Sequence, residues 1–119
     1  MNFVMLSGRL SSEPTVRELP SGSVLVSYEL TTRVEDAAVS VPLVWFDPAK
    51  RPVVVTGDEI RAIGSVRRRF YRAGGVTQSR TEVVVASLAK VGDKRAAVVQ
   101  ARMIANAMGA SGPDGLPLS

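Results

Sequence analysis

The chain has 119 residues and a formal net charge of +4, and it contains neither cysteine nor histidine. These counts exclude a disulfide framework, zinc centres built on Cys or His, and the Ser-His-Asp and Cys-His triads. The length predicts one domain, and 45% hydrophobic with 22% charged residues is typical of a globular protein. No apolar run approaches the ~20 residues that span a bilayer, and the amino terminus does not resemble a signal peptide, so we expect a cytoplasmic protein without membrane contact.

Up to Gly92 the sequence alternates apolar and polar residues between turn signals, which is the pattern of half-buried antiparallel strands. The predicted strands are residues 3–10, resumed over 15–19 after a turn or bulge, and residues 24–32, 39–46, 59–71 and 80–90. Residues 33–38 are polar and predict a loop, and Ala73-Gly74-Gly75 predicts the tip of a hairpin. Four to five strands in about ninety residues, some long enough to bend, predict a small closed or partly closed barrel.

The strand faces and one connection allow more detailed predictions. Trp45 lies on the apolar face of strand 39–46, so we predict that its side chain belongs to the core. In strand 59–71 Ile63 is the one apolar residue predicted to face outward, whereas the residues predicted to face inward are Ile60, Ala62, Gly64 and Val66. Residues 49–56 contain a proline and three consecutive valines, which argue against more than one helical turn there.

After Gly92 the spacing of apolar residues becomes helical, which predicts a helix over residues 93–109 with Asp93 as its N-cap and Gly109 at its end. Its predicted apolar face consists of Ala97, Ala101, Ile104 and Met108. That face covers either the chain's own barrel or a partner subunit, and the spacing does not distinguish the two. The predicted organisation is a barrel, a helix and a flexible tail, over residues 1–92, 93–109 and 110–119.

Arginine dominates the positive charge. Twelve of the fifteen basic residues are arginine, and five of them lie between Ser65 and Arg80, a stretch with no acidic residue. The rest of the chain is therefore slightly acidic, and the positive charge is concentrated on one predicted hairpin. Strand alternation places Arg67, Arg69 and Tyr71 on one outward face, an arrangement typical of single-stranded nucleic-acid binding by guanidinium–phosphate contacts and base stacking. An edge hairpin kept soluble by charge is the structural alternative.

Short motifs along roughly residues 3–90 resemble the bacterial single-stranded-DNA-binding proteins in their order and spacing. They are Val4-Met-Leu-Ser-Gly-Arg-Leu10, Glu13-Pro-Thr-Val-Arg17, Pro20-Ser-Gly22, Val24 to Thr32, Val44-Trp-Phe46, Gly57-Asp-Glu-Ile60, Gly64-Ser-Val-Arg-Arg-Arg69 and Thr81-Glu-Val-Val-Val85. The resemblance implies a mainly β protein, a five-stranded OB-fold barrel with a C-terminal α-helix. It also implies a homo-oligomer, with a tetramer favoured over a dimer, that binds single-stranded DNA without sequence preference.

The resemblance also assigns roles to individual positions. It implies that Phe46 and Tyr71 stack on bases and that Arg67 and Arg69 are basic contacts beside them. We expect further phosphate contacts from the remaining arginines of the hairpin and along the path around the barrel. The predicted nucleic-acid-binding residues are Arg17, Arg33, Phe46, Arg67, Arg69, Tyr71, Arg72 and Arg80. No catalytic residue, metal ligand or cofactor is predicted, because the acidic pairs are ordinary surface charge and no Gly-rich loop opens a helix.

The chain also departs from the family pattern. Ser40 stands where many members have a stacking tryptophan, and the segment between Phe46 and Gly57 is short. The sequence ends at Ser119 without the acidic tail that recruits replication and repair enzymes, and Asp114 is the one acid in its last twenty-five residues. These departures imply a divergent paralogue with weaker DNA binding, since each base stack contributes about 1–3 kcal/mol.

We therefore predict a non-enzymatic, nucleoid-associated OB-fold homo-oligomer that binds single-stranded DNA in replication, recombination or repair. The alternative is a primosomal-type or regulatory OB-fold protein that acts mainly through replication or primosome proteins and binds DNA weakly. RNA is a third ligand, because the same chemistry tolerates a 2′-hydroxyl.

Overall fold

Six strands and one helix make up residues 1–109, the part of the chain that this computed structural model describes. The elements are β1 (Val4–Leu10), β2 (Thr15–Glu18), β3 (Val24–Val34), β4 (Ala37–Phe46), β5 (Glu59–Ala73), β6 (Val76–Lys90) and α1 (Lys94–Ala107). The predicted flexible tail, residues 110–119, lies outside the described residues. Within the described part, no helix is both long enough and apolar enough to cross a membrane.

The strands close into a barrel. They follow the order β1-β5-β6-β4-β3-β2, and β1 returns to β3 through the pairs Arg9↔Thr31 and Leu10↔Leu30. Because β1 and β2 both pair with β3, one after the other, they act as a single strand interrupted around Pro14. The parallel pairing of β4 with β6 completes the ring. The result is a closed five-stranded OB-fold barrel with a C-terminal helix, which confirms the predicted fold class.

The barrel interior is filled by the inward residues of every strand. Leu30, Leu43 and Ile60 are completely buried, and Trp45 packs against this core from its edge, as predicted. Val54 also belongs to the core although its segment has no regular secondary structure. Residues 49–56 therefore contain no helix, and a valine from this irregular segment helps to fill the barrel.

Hydrogen bonds from the backbone N–H groups of residues 55–57 hold the segment before β5 next to the end of β1. The Gly57 N–H donates to the Leu10 carbonyl over 2.9 Å, and the Thr56 N–H donates to Glu13 Oε1 over 2.9 Å. The Val55 N–H donates to Asp58 Oδ2 over 2.9 Å and lowers the pKa of that carboxyl group, because the hydrogen bond favours its charged form. The irregular segment before β5 is thus held in place by polar contacts at its end.

Both long hairpins are tighter than their sequences indicated. The loop predicted over residues 33–38 is wrong, because β3 runs to Val34 and β4 starts at Ala37, which leaves only Glu35 and Asp36 in the turn. Glu35 accommodates this turn by taking a positive φ of 55°. The second hairpin turns at Gly74 and Gly75, as predicted, and both glycines have the positive φ that a two-residue turn needs.

The β5–β6 hairpin extends beyond the barrel as a two-stranded arm. β6 pairs with β4 only at Val83 and Val84, whereas β5 and β6 stay paired with each other out to Ala73↔Val76. The arm, defined here as residues 67–82, carries all five arginines of the basic stretch.

The helix contacts its own barrel through Gln100, while Val98, Val99 and Met108 of the same helix are exposed. Asp93 is its N-cap, as predicted, and accepts a hydrogen bond from the Ala96 N–H over 3.1 Å. Of the predicted apolar face, Ala97 and Ile104 are partly buried and Ala101 and Met108 are exposed, and the most buried helical residue is Gln100. Sequence spacing missed Gln100 because a polar residue does not contribute to an apolar pattern.

Gln100 joins the helix to strands β5 and β6. Its Nε2 donates to the Arg61 carbonyl and to Ser87 Oγ, each over 3.1 Å, and its Oε1 accepts from Arg61 Nε over 2.7 Å. Ile63 lies on the same face of β5 as Arg61 and is completely buried, so its predicted outward exposure is wrong. The helix covers that face, and a register shift between Ile63 and Gly64 changes the alternation beyond it.

Replacing Gln100 by alanine is expected to destabilise the protein by about 1–3 kcal/mol, because partly buried groups of Arg61 and Ser87 lose their hydrogen-bond partner. Thermal or urea unfolding measures the difference. Arg102→Ala is the matched control, since Arg102 is exposed on the same helix and alanine favours helix formation. Equal unfolding free energies for the two variants would contradict the role given to Gln100.

Candidate nucleic-acid interface

An open groove of about 560 Å³ lies on the outer face of the barrel, between β2, β3, β4 and the arm. Five of the eight predicted binding residues line it: Arg17, Phe46, Arg67, Arg69 and Arg80. Tyr71 is next to the groove, on the same face of β5 as Arg69, whose guanidinium carbon lies 5.2 Å from the centre of the Tyr71 ring. The structure therefore brings six of the eight residues together.

The remaining two predicted residues lie at the hairpin tips. Arg33 Nη2 donates to the Asp36 carbonyl over 3.1 Å, and Arg72 Nη2 donates to the Gly75 carbonyl over 2.8 Å. Each guanidinium thus contacts the turn of its own hairpin, and neither residue lines the groove.

Strand register explains why the six residues share one surface. In the arm, Arg67 pairs with Glu82, Arg69 with Arg80, and Tyr71 with Gln78. Directly paired residues of antiparallel strands point to the same side, so these side chains stand on one face of the arm. Phe46 ends β4 and reaches the same face from across the barrel. Arg68 and Phe70 alternate onto the opposite face and are exposed there.

Glu82 is the functional residue that sequence reasoning missed. Its carboxylate is 1% exposed and pairs with two arginines of the groove. Arg67 approaches Oε2 with Nη2 at 2.7 Å and Nε at 2.9 Å, whereas Arg69 Nε lies 3.5 Å from Oε1, an ion-pair distance without a hydrogen bond. Counting the same number of residues along each strand from the Gly74-Gly75 turn pairs Arg67 with Glu82. The predicted hairpin tip would therefore have been enough to find this pair from the sequence.

Each of these two arginines also lies over an aromatic ring. The Arg67 guanidinium carbon is 5.1 Å from the centre of the Phe46 ring, and Arg69 has the corresponding contact with Tyr71. Such cation–π pairs are attractive and favour a guanidinium that lies flat on the ring. We call Phe46, Arg67, Arg69, Tyr71 and Glu82 the arginine–aromatic cluster, because the carboxylate of Glu82 joins the two pairs.

A second carboxylate pairs with the last arginine of the groove. Arg80 Nη2 lies 3.1 Å from Glu29 Oε1, and Glu29 Oε2 accepts a hydrogen bond from Ser40 Oγ over 3.1 Å. The Arg80 and Glu29 side chains are 43% and 41% exposed, so water screens this pair far more than the one at Glu82.

The electrostatic character of the groove is milder than the sequence of the hairpin suggested. Four arginines line the groove together with three glutamates, Glu13, Glu29 and Glu82, which leaves a net charge of +1. Within residues 1–109, no three carboxylates come together in a way that could hold a metal ion. The surface offers aromatic rings, guanidinium faces and a modest positive potential.

The phenol of Tyr28 is the titratable group with a raised pKa beside the groove. Burial raises the pKa of this phenol, and the nearby Arg51 guanidinium partly offsets the rise. Tyr28 is 2% exposed and its ring belongs to the barrel core, so it supports the floor of the groove.

The comparisons with known proteins agree with the architecture. No protein-family model and no curated protein matches the chain. Among solved structures, the chain is similar to the Plasmodium falciparum SSB in complex with ssDNA, with a TM-score of 0.66 and 19% sequence identity. The match covers 76% of this chain and 95% of that one. At this identity the similarity establishes a shared fold, the OB-fold barrel described above.

Proposed function

We propose that the groove binds single-stranded DNA without sequence preference. The observation that carries the proposal is the placement of Phe46 and Tyr71 beside Arg67, Arg69 and Arg80 on one open face of an OB-fold barrel. Exposed aromatic rings stack on any base, and arginines bind the backbone or stack themselves, so this combination suits a single strand of any sequence. The structural neighbour, whose solved complex contains ssDNA, supports the same ligand.

The finer proposals concern assembly and role. We propose that the protein is a nucleoid-associated homo-oligomer, with a tetramer favoured over a dimer, that acts in replication, recombination or repair without catalysing a reaction. The carboxylate partners of Arg67, Arg69 and Arg80 favour a second candidate, a regulatory or primosomal-type barrel with weak DNA binding, because each paired arginine has less charge to offer a phosphate.

Binding of a fluorescent oligo-dT across a salt series tests the first function. We expect saturable binding, and weaker binding of duplex DNA of the same length, because the rings need unpaired bases. For a single strand the log–log slope is about −0.7 per phosphate neutralised, and the small net charge of the groove predicts a slope of only about −0.7 to −2.

Two further measurements complete this test. Light scattering on the same sample gives the number of subunits and whether it changes when DNA binds. An absence of oligo-dT binding at low salt would contradict the proposed function. A pull-down that recovers one protein partner and no DNA would favour the second candidate. Oligo-rU of equal length is the control for RNA preference.

A further inference from the structure

The arginine–aromatic cluster contains a more specific arrangement than a basic patch. Glu82 is buried to 1% exposure and holds Arg67 through both Nε and Nη2, the two nitrogens along one edge of the guanidinium plane. The same carboxylate attracts Nε of Arg69 at 3.5 Å. All N–H groups of a guanidinium lie in its plane, so its two flat faces form no hydrogen bonds. A carboxylate that binds along one edge therefore leaves both faces available for stacking.

Each guanidinium carbon already lies over an aromatic ring, 5.1 Å from the centre of Phe46 for Arg67 and 5.2 Å from the centre of Tyr71 for Arg69. The two arginine side chains are nevertheless 40% and 44% exposed, so part of each remains open to the groove. A planar cation that lies over a ring and stays partly exposed is a surface on which a nucleobase stacks. Each pair is therefore built as a two-layer stacking platform.

Phosphate binding by these two arginines would require the opposite arrangement. A phosphate binds the N–H edge of a guanidinium; Glu82 occupies the Nε/Nη2 edge of Arg67 and attracts Nε of Arg69 at 3.5 Å. Displacing Glu82 would leave a buried carboxylate without its partner, which is strongly unfavourable. Arg80 differs, because its partner Glu29 is 41% exposed and a phosphate can replace it in contact with water.

We propose that Glu82 is a positioning residue that holds Arg67 and Arg69 as base-stacking platforms, and that phosphate contacts in the groove fall to Arg80 and Arg17. This inference rests on the proposed function and deepens it. It reverses the role expected from the sequence, in which Arg67 and Arg69 bind phosphates. It also explains why arginine, whose head group is planar, occupies both positions rather than lysine.

The double variant Arg67→Lys/Arg69→Lys separates the two roles, because lysine keeps the charge and removes the planar head group. We expect affinity for oligo-dT to fall about tenfold, the loss of roughly one base stack, with the salt slope unchanged. Arg80→Ala, which removes a charge assigned to phosphate, is expected to make the salt slope shallower by about 0.7. Arg68→Lys, on the opposite face of the same strand, is the matched control and should bind like the unmodified protein.

An abasic oligomer of the same length supplies a readout that a purely structural role would not move. The unmodified protein should bind oligo-dT more tightly than the abasic strand, and the double lysine variant should lose most of that ratio. Glu82→Gln should also reduce the ratio, because the released guanidiniums turn toward phosphates, and should steepen the salt slope by about 0.7 per phosphate newly neutralised. Circular dichroism and thermal unfolding of each variant confirm that it is folded.

The outcomes distinguish the inference from the function on which it rests. If the unmodified protein binds oligo-dT and the folded double lysine variant keeps both its affinity and its preference for dT over the abasic strand, the inference is wrong and the function stands. If the salt slope becomes shallower in Arg80→Ala, and the preference for dT over the abasic strand falls in Arg67→Lys/Arg69→Lys, the assignment of roles is supported. If the unmodified protein binds neither oligomer, the proposed function itself fails. Should Glu82→Gln not fold, Arg69→Lys alone carries the same comparison.

Discussion

Gly64→Ala is expected to destabilise the barrel by about 3 kcal/mol or more, a large part of the stability of a domain this size. Gly64 lies in β5 where it crosses β6, and a Cβ atom at this position would overlap the backbone carbonyl of Val84. A flexible side chain could move away from such a clash, but a strand backbone in the ladder cannot do so without breaking its hydrogen bonds. The register shift between Ile63 and Gly64 places the residue at the point where the ladder is already irregular.

Urea unfolding of Gly64→Ala beside the unmodified protein measures this effect. Ser65→Ala is the matched control, because Ser65 is the next residue of the same strand and its side chain lies on the outward face. We expect the control to unfold within about 0.5 kcal/mol of the unmodified protein, as is usual away from special sites. An unfolding free energy for Gly64→Ala equal to that of Ser65→Ala would show that the strands separate easily at this crossing.

The barrel could be predicted because its information is local. Alternation along each strand and the turn glycines at residues 74–75 determine the strand faces, and the observed core follows them at Val26, Leu30 and Leu43. The errors lie where a distant element intervenes. Alternation alone predicts that Ile63 is exposed, yet α1 packs on its face of β5. The contact between α1 and β5 depends on Gln100, some forty residues further along the chain.

The candidate site could be predicted in its residue types and faces but not in its pairing. Alternation and the hairpin tip place Arg67, Arg69 and Tyr71 together, and the same tip places Glu82 opposite Arg67. The contact of Arg67 with Phe46 joins β5 to β4, which only barrel closure brings together. The arginine count also overstated the positive charge that is free to meet a ligand. Glu82 and Glu29, which pair with the groove arginines, lie on other strands than β5 or outside the basic stretch.

Phe46→Ala and Tyr71→Ala are each expected to weaken binding to oligo-dT by about 1–3 kcal/mol, roughly 5- to 150-fold, because each removes a stacking surface. Phe46 is 36% exposed at the end of β4, and its ring supports the Arg67 guanidinium, so its loss removes two layers of one platform. Tyr71 supports Arg69 in the same way. Since Glu82 joins the two pairs, the double variant should depart from the sum of the two single effects, and the difference measures their coupling.

The chain offers a matched aromatic control for this experiment. Phe70 adjoins Tyr71 in β5, is 65% exposed and faces away from the groove, so Phe70→Ala should bind oligo-dT like the unmodified protein. Fluorescence anisotropy at fixed salt gives the affinity of all four variants, and a salt series should give each the same slope because no charge is removed. Equal losses for Phe70→Ala and Tyr71→Ala would place the strand on both faces of the arm and refute the groove as the binding surface. A loss confined to Phe46 and Tyr71 would identify the face on which the bases lie.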